Sequence, residues 1–241
     1  MIEVHRVSKR FGRLEVLRDI ELRIGAGDRV AFVGSNGSGK TTLLRAILGL
    51  VHVQGSITID GFDVSRDPVH ALRRVAYIPQ IAPPLDAPVR EVVLASARLR
   101  GFPEERVSER AARLGLSLTA CESHRFRDLS GGQKQKLLAA MALASEADVV
   151  ICDEPTANLD AAARDAFFAQ MNERGEGRTV ILCSHRVDEV KRLVSRVVEL
   201  SEGRICRDVV AREPTSRGSR SGVSSMPPRE DLRITRRERA S

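Results

Sequence analysis

A glycine-rich loop between a strand-like run and a helix-like run constrains the fold of this chain more than any other feature. Arg29–Val33 is apolar and strand-like, and Thr41–Leu48 carries leucine and isoleucine at helical spacing. Residues 34–41, which join them, read GSNGSGKT and match the pattern G-x-x-x-x-G-K-[ST]. Glycines let consecutive backbone N–H groups turn toward phosphate oxygens, and the helix that starts there adds the positive end of its dipole. This phosphate loop therefore predicts a site for a nucleoside triphosphate.

The residue types in the phosphate loop assign candidate roles. Lys40 is expected to reach the β- and γ-phosphates, and the Thr41 hydroxyl is expected to ligate Mg²⁺. The predicted nucleotide-binding residues of the loop are Gly34, Ser35, Asn36, Gly37, Ser38, Gly39, Lys40, Thr41 and Thr42. By itself the loop predicts a triphosphate ligand and does not choose among the classes of protein that bind one.

An acidic pair follows a second apolar run. Val149–Cys152 is strand-like, and Asp153 and Glu154 come directly after it. Because parallel strands end at the same edge of a sheet, Asp153 is expected near the phosphate loop, where it would help to hold Mg²⁺. Glu154 is then placed to orient or deprotonate the attacking water. Two adjacent acids at a buried strand end are costly without a cation or a catalytic task; a helix-capping role for the pair is the alternative.

Strand-like and helix-like runs alternate along most of the chain. Further strands are predicted at residues 2–7, 22–24, 56–60, 75–78, 180–183 and 197–200. From about 88 to 144 glutamate, arginine, alanine and leucine dominate, which predicts an inserted helical subdomain. The alternation indicates an α/β fold with a mainly parallel, covered sheet. Cys152 and Cys183 lie inside apolar runs, so both are interpreted as packing residues.

Charge and hydropathy exclude several classes of protein. The formal net charge is +7, and residues 211–241 alone hold eight arginines and four acids. The rest of the chain is only mildly basic, so no nucleic-acid partner is expected. No apolar run approaches the roughly 20 residues of a membrane helix, and the first residues lack the apolar core of a signal peptide. We therefore expect a cytoplasmic protein.

The last 31 residues differ in composition from the rest. Residues 211–241 are rich in serine, arginine and proline and nearly free of large apolar side chains. Such a segment buries too little surface to offset its ordering entropy. It is predicted to be a disordered basic tail without a function of its own, and contact with anionic lipid headgroups is the alternative.

A third motif, Leu129-Ser130-Gly131-Gly132-Gln133, indicates which class of triphosphate-binding protein this chain resembles. Ser130 and the glycines predict an N-cap and a second anion site ahead of a helix with an apolar side. As a bare helix start this pentapeptide would be structural. Between a phosphate loop and a strand that ends in Asp-Glu, it resembles the signature of the ABC ATPase family, and the resemblance covers about residues 1–205.

Four more residues stand where that family has its remaining motifs. Gln80 resembles the Q-loop glutamine, Asp160 the D-loop aspartate, and His185 the switch histidine that contacts the γ-phosphate. Phe11 matches an aromatic residue that stacks on adenine; tyrosine is more frequent there, and phenylalanine keeps the stacking face. The resemblance implies a catalytic set of Glu154, His185 and Gln80 and an Mg²⁺ ligand set of Thr41, Gln80 and Asp153.

The resemblance also implies a fold and an active site that two subunits share. The fold is a P-loop NTPase core with an N-terminal antiparallel β subdomain and an inserted helical subdomain. In this family the signature of one subunit closes over ATP bound to the phosphate loop of the other, so a second copy of the chain is an expected partner. The residues implied across that interface are Ser130, Gly131, Gly132, Gln133 and Asp160. A transmembrane permease is expected on separate chains, with this chain peripheral on the cytoplasmic face of the membrane.

Two classes of function fit the resemblance. The favoured one is an ATPase that energises transport; the other is a soluble ABC ATPase of an assembly system, such as iron–sulfur cluster building. Among transporters, Leu99-Arg-Gly-Phe and Leu114-Gly-Leu-Ser are similar to the exporter-like group with separate permeases, which includes the ATPase of copper-site maturation in nitrous-oxide reductase. Residues 83–89 are similar to metal-importer ATPases instead. The direction of transport and the substrate therefore stay open.

Overall fold

The computed structural model describes residues 1–145, 147–173, 177–184 and 186–210. The strands are β1 (Ile2–Phe11), β2 (Leu14–Ile24), β3 (Arg29–Val33), β4 (Gln54–Ile59), β5 (Phe62–Asp63), β6 (Val75–Ile78), β7 (Val149–Asp153), β8 (Thr179–Cys183), β9 (Arg196–Ser201) and β10 (Arg204–Val210). The helices are α1 (Lys40–Ile47), α2 (Pro68–Leu72), α3 (Val89–Arg100), α4 (Glu105–Arg113), α5 (Gly131–Ala144), α6 (Ala161–Glu173) and α7 (Val187–Leu193). The predicted switch residue His185 and the predicted tail at 211–241 lie outside the described residues.

The larger sheet brings the candidate site residues to one edge. Its strand order is β10-β9-β3-β8-β7-β6. β3 is parallel to β8 and β9, and β7 is parallel to β6 and β8, whereas β10 is antiparallel to β9. Because β3, β8 and β7 are parallel neighbours, the segments that follow them meet at one edge of the sheet. The prediction of a mainly parallel sheet is confirmed.

The two faces of the larger sheet pack against different parts of the chain. On β7, Ile151 joins a core that includes α1 and the smaller sheet, whereas Val150 and Cys152 join a core that includes α3, α5 and α6. Every residue of β7 and β8 is buried, as expected for parallel strands covered on both sides. Cys152 and Cys183 are buried as predicted, and burial raises the pKa of the Cys152 thiol to about 12, which keeps it protonated and inert.

The smaller sheet is antiparallel, with strand order β2-β1-β4-β5. Its inner face carries Ile2, Val4 and Ile57, which pack on α1 and on the larger sheet. β1 and β2 pair with register shifts near Val7 and Lys9. The predicted N-terminal antiparallel β subdomain is thus present, and β2 begins at Leu14, eight residues before the strand predicted at 22–24.

The segment predicted as a helical insertion contains three helices and a long irregular stretch. α3, α4 and α5 fill much of the predicted range 88–144, but between α4 and α5 the chain forms turns and a short 3-10 helix at Phe126–Asp128. α4 ends before Gly115, which has a φ of 72°, the left-handed conformation that closes a helix. Phe126, Cys121 and Leu129 are buried, so the segment between α4 and α5 contributes side chains to the core.

Four elements were not predicted from the sequence, namely β5, α2, α7 and β10. β10 is a mostly exposed edge strand, and Arg207 and Asp208 interrupt its apolar residues, so the sequence shows no continuous apolar run there. It carries the described fold to Val210, past the boundary expected at 205. Among the described residues, no helix is long and apolar enough to cross a bilayer.

Candidate active site

The phosphate loop turns sharply between β3 and α1, and backbone atoms of β2 and β9 lie close to two of its glycines. Gly34 has a φ of 143°, and a Cβ at Gly34 would lie 2.1 Å from the carbonyl oxygen of Leu200. Gly39 has a φ of 104°, and its Cβ would lie 2.8 Å from the carbonyl oxygen of Val16. Only glycine fits at both positions. The shape of the loop is therefore set by β2 and β9 together with its own sequence.

Lys40 folds back over this loop. Its Nζ donates hydrogen bonds to the carbonyl oxygens of Gly34 and Ser35, at 2.8 and 2.9 Å. Among the described residues, no side chain caps the start of α1, so the N–H groups of its first turn are left for an anion. The buried hydroxyl of Ser38 also lacks a hydrogen-bond partner in the described part of the chain. The loop thus has unsatisfied donors and one cation.

Asp153 reaches the phosphate loop from the end of β7. Its Oδ1 accepts a hydrogen bond from the Thr41 hydroxyl at 3.5 Å, so two of the three predicted Mg²⁺ ligands lie together. Burial raises the pKa of the Asp153 carboxyl, a hydrogen bond with Cys183 lowers it, and the charge of Glu154 raises it again. Cys183 was interpreted only as a packing residue, and the structure adds this polar contact. A buried carboxylate beside a second acid is a favourable place for a cation.

Glu154 is held in an unusual backbone conformation. Its φ is 48°, in the left-handed region that side chains with a Cβ rarely adopt. Its N–H donates a hydrogen bond of 2.8 Å to the carbonyl oxygen of Cys183 on β8, and its own carbonyl accepts one of 3.2 Å from the N–H of Ala157. These bonds fix the direction in which the side chain leaves the end of β7. Glu154 directly follows Asp153 and is partly exposed, so solvent has access to it.

Gln80 lies two residues beyond the end of β6 and is exposed. No hydrogen bond among the described residues joins Gln80 to Thr41 or Asp153, so its predicted role in the metal site stays a prediction. The carbonyl oxygen of the preceding Pro79 accepts a hydrogen bond of 3.4 Å from the side chain of Gln135 on α5. The Gln135 amide also donates at 2.9 Å to the carbonyl oxygen of Pro155.

The predicted signature forms the start of α5. The Ser130 hydroxyl accepts from the N–H of Gln133 at 3.2 Å, and the Gln133 side chain accepts from the N–H of Ser130 at 2.9 Å, which completes a capping box. Ser130, Gly131 and Gln133 are exposed. A Cβ on Gly132 would lie 3.1 Å from the carbonyl oxygen of Asn158, which explains a glycine there. The exposed helix start offers backbone N–H groups to an anion outside this chain.

Asp160 stands beside the signature and not beside the phosphate loop. Its Oδ2 accepts from Lys136 Nζ at 2.9 Å and its Oδ1 accepts from the N–H of Ala163 at 2.8 Å, so Asp160 also caps α6. The hydrogen bond with Lys136, followed by that with Ala163, lowers the pKa of Asp160. A cavity of about 350 Å³ lies here, lined among others by Ser130, Gln133, Lys136 and Asp160.

Phe11, at the end of β1, is 51% exposed. Lys9 Nζ lies 4.8 Å from the centroid of its ring, so one face of the ring already meets a cation. Exposed aromatic rings of this size are available for stacking against a planar ligand.

The structure thus sorts the predicted residues into two groups. Thr41 and Asp153 meet at the edge of the larger sheet, with Glu154 next to Asp153 in the chain, whereas the signature and Asp160 form a second group at the starts of α5 and α6. No hydrogen bond in the described part of the chain joins the signature to the phosphate loop. One chain therefore presents two partial sites, each with exposed groups suited to phosphate.

Sequence reasoning missed three polar residues that support these groups. Gln135 and Glu189 are buried, and Lys136 bonds Asp160. Of these three residues, only Gln135 had a signal in the sequence. It lies near Leu138 in a predicted helix with an apolar side, where an amide side chain is unusual.

Comparison with known proteins identifies the family. The model of the ABC transporter family matches residues 17–157. Nod factor export ATP-binding protein I of Burkholderia lata is 34% identical over 211 residues, covering 84% of this chain and 68% of that protein. Glutamine transport ATP-binding protein GlnQ of Escherichia coli is 34% identical over 220 residues, covering 86% of this chain and 90% of that protein.

Solved structures that resemble this chain support the same family. One, described as the ATP-binding subunit of an ABC transporter, is 29% identical with a TM-score of 0.76 over 87% of this chain and 90% of that one. Another is a dimeric, post-hydrolysis state of the ATP-binding cassette MJ0796 with ADP and Pi; it is 25% identical with a TM-score of 0.76 over 88% of this chain and 100% of that one. The expected P-loop NTPase fold is confirmed. The chain belongs to the ABC transporter family, as an ATP-binding subunit that hydrolyses ATP.

Proposed function

We propose that two copies of this chain enclose ATP between the phosphate loop of one and the signature of the other, and that hydrolysis drives a separate permease. The observation that carries the proposal is the separation of the two partial sites on one chain. The Thr41–Asp153 contact lies at the edge of the larger sheet, whereas the exposed Ser130 caps α5. The dimeric cassette with ADP and Pi supports the pairing.

In each composite site the phosphate loop binds the phosphates through its backbone N–H groups, and Lys40 supplies positive charge. The residues proposed for this contact are Gly34, Ser35, Asn36, Gly37, Ser38, Gly39, Lys40, Thr41 and Thr42. Phe11 stacks on adenine with its exposed ring. The partner copy contributes its signature and Asp160. Because the start of α5 has exposed N–H groups, it suits the negative charge of the γ-phosphate.

The residues around Asp153 fit an Mg²⁺ ion. Carboxylate, hydroxyl and amide oxygens are the hard donors that Mg²⁺ prefers, and Thr41, Asp153 and Gln80 supply one of each. When bound, the ion neutralises charge on the phosphate oxygens. In the same site Glu154 takes a proton from the attacking water, and His185 is proposed to contact the γ-phosphate. The left-handed backbone of Glu154 fixes where its carboxylate lies.

A mixing experiment tests the shared site. Lys40→Ala removes the cation of the phosphate loop but keeps the signature, whereas Ser130→Arg blocks the signature but keeps the phosphate loop. Each variant alone should be nearly inactive. A mixed dimer contains one intact site, so mixing the two variants should restore part of the ATPase activity. If every mixture stays as inactive as its components, each site is built within one chain and the pairing is wrong.

The segment from Gln80 to Pro88 is the proposed contact with the permease. Its Ile81 side chain is 79% exposed, an unusual position for isoleucine. Asp86 pairs with Arg127 at 2.9 Å, and Ala87 accepts a hydrogen bond of 2.8 Å from the N–H of Phe126. The segment is therefore tied to the stretch that leads into the signature, so movement at a docked permease would reach the ATP site.

Replacing Pro83 and Pro84 with glycine tests this coupling. The prolines stiffen the segment, so the variant should keep basal hydrolysis and lose transport in membranes that contain the permease. Equal loss of both activities would contradict a coupling role. Affinity purification from solubilised membranes should recover a transmembrane chain; recovery of a soluble assembly scaffold instead would favour the non-transport alternative.

Within transporters we favour the exporter-like group, with the chain peripheral on the cytoplasmic face of the membrane. The similarity to Nod factor export proteins supports export. The similarity to the glutamine transport protein supports the alternative, a transporter of amino acids. A carbonate wash should release the chain from membranes if it is held only by a permease. The sequence of the co-purified permease then separates the two directions.

A further inference from the structure

We propose that Glu189, a buried carboxylate on α7, is a positioning residue that links the segment after Glu154 to Ser184, the residue before His185 in the sequence. The Glu189 residue is 0% exposed. Buried carboxylates are rare, because the charge loses its water shell. A buried carboxylate is tolerated when hydrogen bonds or cations compensate its charge. The partners of Glu189 therefore indicate which parts of the site it connects.

The two carboxylate oxygens of Glu189 bind these two parts of the chain separately. Oε1 accepts a hydrogen bond from the Thr156 hydroxyl, two residues after Glu154. Oε2 accepts one of 2.8 Å from the Ser184 hydroxyl, which directly precedes His185. Thr156 and Ser184 are both buried. One side chain thus links the segments that leave the neighbouring parallel strands β7 and β8.

Two guanidinium groups balance the charge and extend the linkage. Arg164 Nε and Arg186 Nη1 lie 3.9 and 3.6 Å from Glu189 Oε1. The Arg186 N–H donates to the Ser184 hydroxyl at 3.1 Å, so the residues on both sides of His185 are connected to Glu189. Arg164 lies in the first turn of α6, where its N–H makes the usual helical hydrogen bond of 3.0 Å to the carbonyl oxygen of Asp160.

This network supports the strained residue of the site. Glu154 has a φ of 48° and is joined to β8 by its N–H bond to Cys183. A non-glycine residue stays in such a conformation only when its surroundings hold it. Glu189 bonds Thr156 and Ser184, which follow β7 and β8, and among the described contacts it bonds neither the phosphate loop nor Lys40. It is therefore expected to act on the placement of Glu154 and His185, and not on ATP binding.

The test compares Glu189→Gln with Glu173→Gln. Glutamine keeps the size of the side chain, leaves one acceptor oxygen and removes the charge. Because displacements of about 1 Å cost about 100-fold in rate, Glu189→Gln should lower kcat at least tenfold while the Kd for ATP changes less than threefold. Glu173 is the control, an exposed carboxylate that also pairs with two arginines, Arg110 and Arg113, at the last residue of α6. Glu173→Gln should leave kcat unchanged.

Two further variants separate positioning from folding. Thr156→Val removes one hydroxyl donor and Thr156→Ser retains it, so kcat should fall in the first and stay near wild type in the second. The loss in Thr156→Val combined with Glu189→Gln should be smaller than the product of the single losses, because both break the same linkage. Circular dichroism and thermal unfolding should show that each variant is folded at the assay temperature.

The inference rests on the proposed role of Glu154, and the two fail in different ways. If Glu154→Gln retains wild-type hydrolysis, the proposed base is wrong. If Glu154→Gln is inactive while folded Glu189→Gln keeps wild-type kcat, the positioning role is overturned. A Glu189→Gln variant that loses ATP affinity with an unchanged kcat also overturns it, as does equal activity of Thr156→Val and Thr156→Ser.

Discussion

The ammonium group of Lys40 donates a hydrogen bond of 2.8 Å to the carbonyl oxygen of Gly34, at the first residue of the phosphate loop. A second bond of 2.9 Å goes to the carbonyl oxygen of Ser35. The cation is thus held by peptide dipoles within the loop. Bound ATP would replace these dipoles with charged phosphate oxygens, and hydrogen bonds between two charged groups are the stronger kind.

Lys40→Ala should therefore weaken ATP binding and hydrolysis together. The lysine meets the phosphates in the ground state as well as in the transition state, so its loss lowers affinity and rate. A charge-assisted hydrogen bond contributes about 1.5–3 kcal/mol, which corresponds to a Kd at least about tenfold higher. Calorimetric titration with ATP measures this change in Kd. Lys191→Ala, at an exposed lysine of α7, is the control, and an unchanged Kd for Lys40→Ala would contradict the assignment.

Glu154→Gln should separate binding from chemistry. The substitution keeps the shape of the side chain and removes the base, so kcat should fall by about 10²–10⁴. Loss of a negative charge beside the γ-phosphate should leave ATP affinity equal or higher. Because hydrolysis normally lets the pair come apart, this variant should accumulate as an ATP-bound dimer where the wild type is monomeric. Light scattering with ATP and Mg²⁺ measures the mass, and a monomeric Glu154→Gln would count against the shared site.

Adding Ser130→Arg should abolish that dimer, because the signature would no longer fit the γ-phosphate of the other copy. Ser130 also caps α5, so the substitution is expected to cost about 1 kcal/mol of stability. Ser108→Arg in the same background controls for added charge and bulk, since Ser108 is exposed on α4. Persistence of the dimer in the Ser130→Arg double variant would exclude the signature from the interface.

Sequence reasoning succeeded where a feature depends on a short stretch of chain. The strands at 29–33 and 75–78 have the predicted bounds, because apolar runs between turns are local signals. The phosphate loop and the signature are likewise continuous motifs. The contacts of Glu189 could not be predicted, since they join α7 to α6 and to the segments that follow β7 and β8. Nor could the left-handed backbone of Glu154, which depends on its bond to the neighbouring strand.

Stability in acid should depend on Glu173. A hydrogen bond with Arg113, and a further one with Arg110, lower its pKa from 4.5 to about 2. Since the pKa is lower in the folded chain, the stabilisation is present above about pH 4.5 and is lost as the pH falls through about 2. Glu173→Gln should therefore be less stable than wild type at pH 7 and equal to it near pH 2. The effect should be small and screened by salt, because the group is exposed. Urea unfolding at pH 7, 4 and 2 tests it, and a difference independent of pH would contradict it.

Gly203 links the turn between β9 and β10 to the phosphate loop. Its N–H donates a hydrogen bond of 3.2 Å to the carbonyl oxygen of Ser38, and its own carbonyl accepts one of 2.8 Å from the N–H of Arg18. Its φ is 75°, and a Cβ there would lie 2.5 Å from the carbonyl oxygen of Val16. Gly203→Ala must therefore move the turn, and we expect it to lower the free energy of unfolding by about 2–4 kcal/mol.

Gly61→Ala, in the turn between β4 and β5, is the matched control for Gly203→Ala. Gly61 also has a positive φ, 85°, but nothing lies within 4 Å of a Cβ placed there. Its substitution should cost only the left-handed strain, about 1–2 kcal/mol, and should leave ATP affinity unchanged. Gly203→Ala should also weaken ATP binding, because its bond to Ser38 helps to shape the phosphate loop. Urea unfolding and ATP titration measure the two effects; equal loss of stability in both variants, with ATP affinity retained, would show that the turn does not support the phosphate loop.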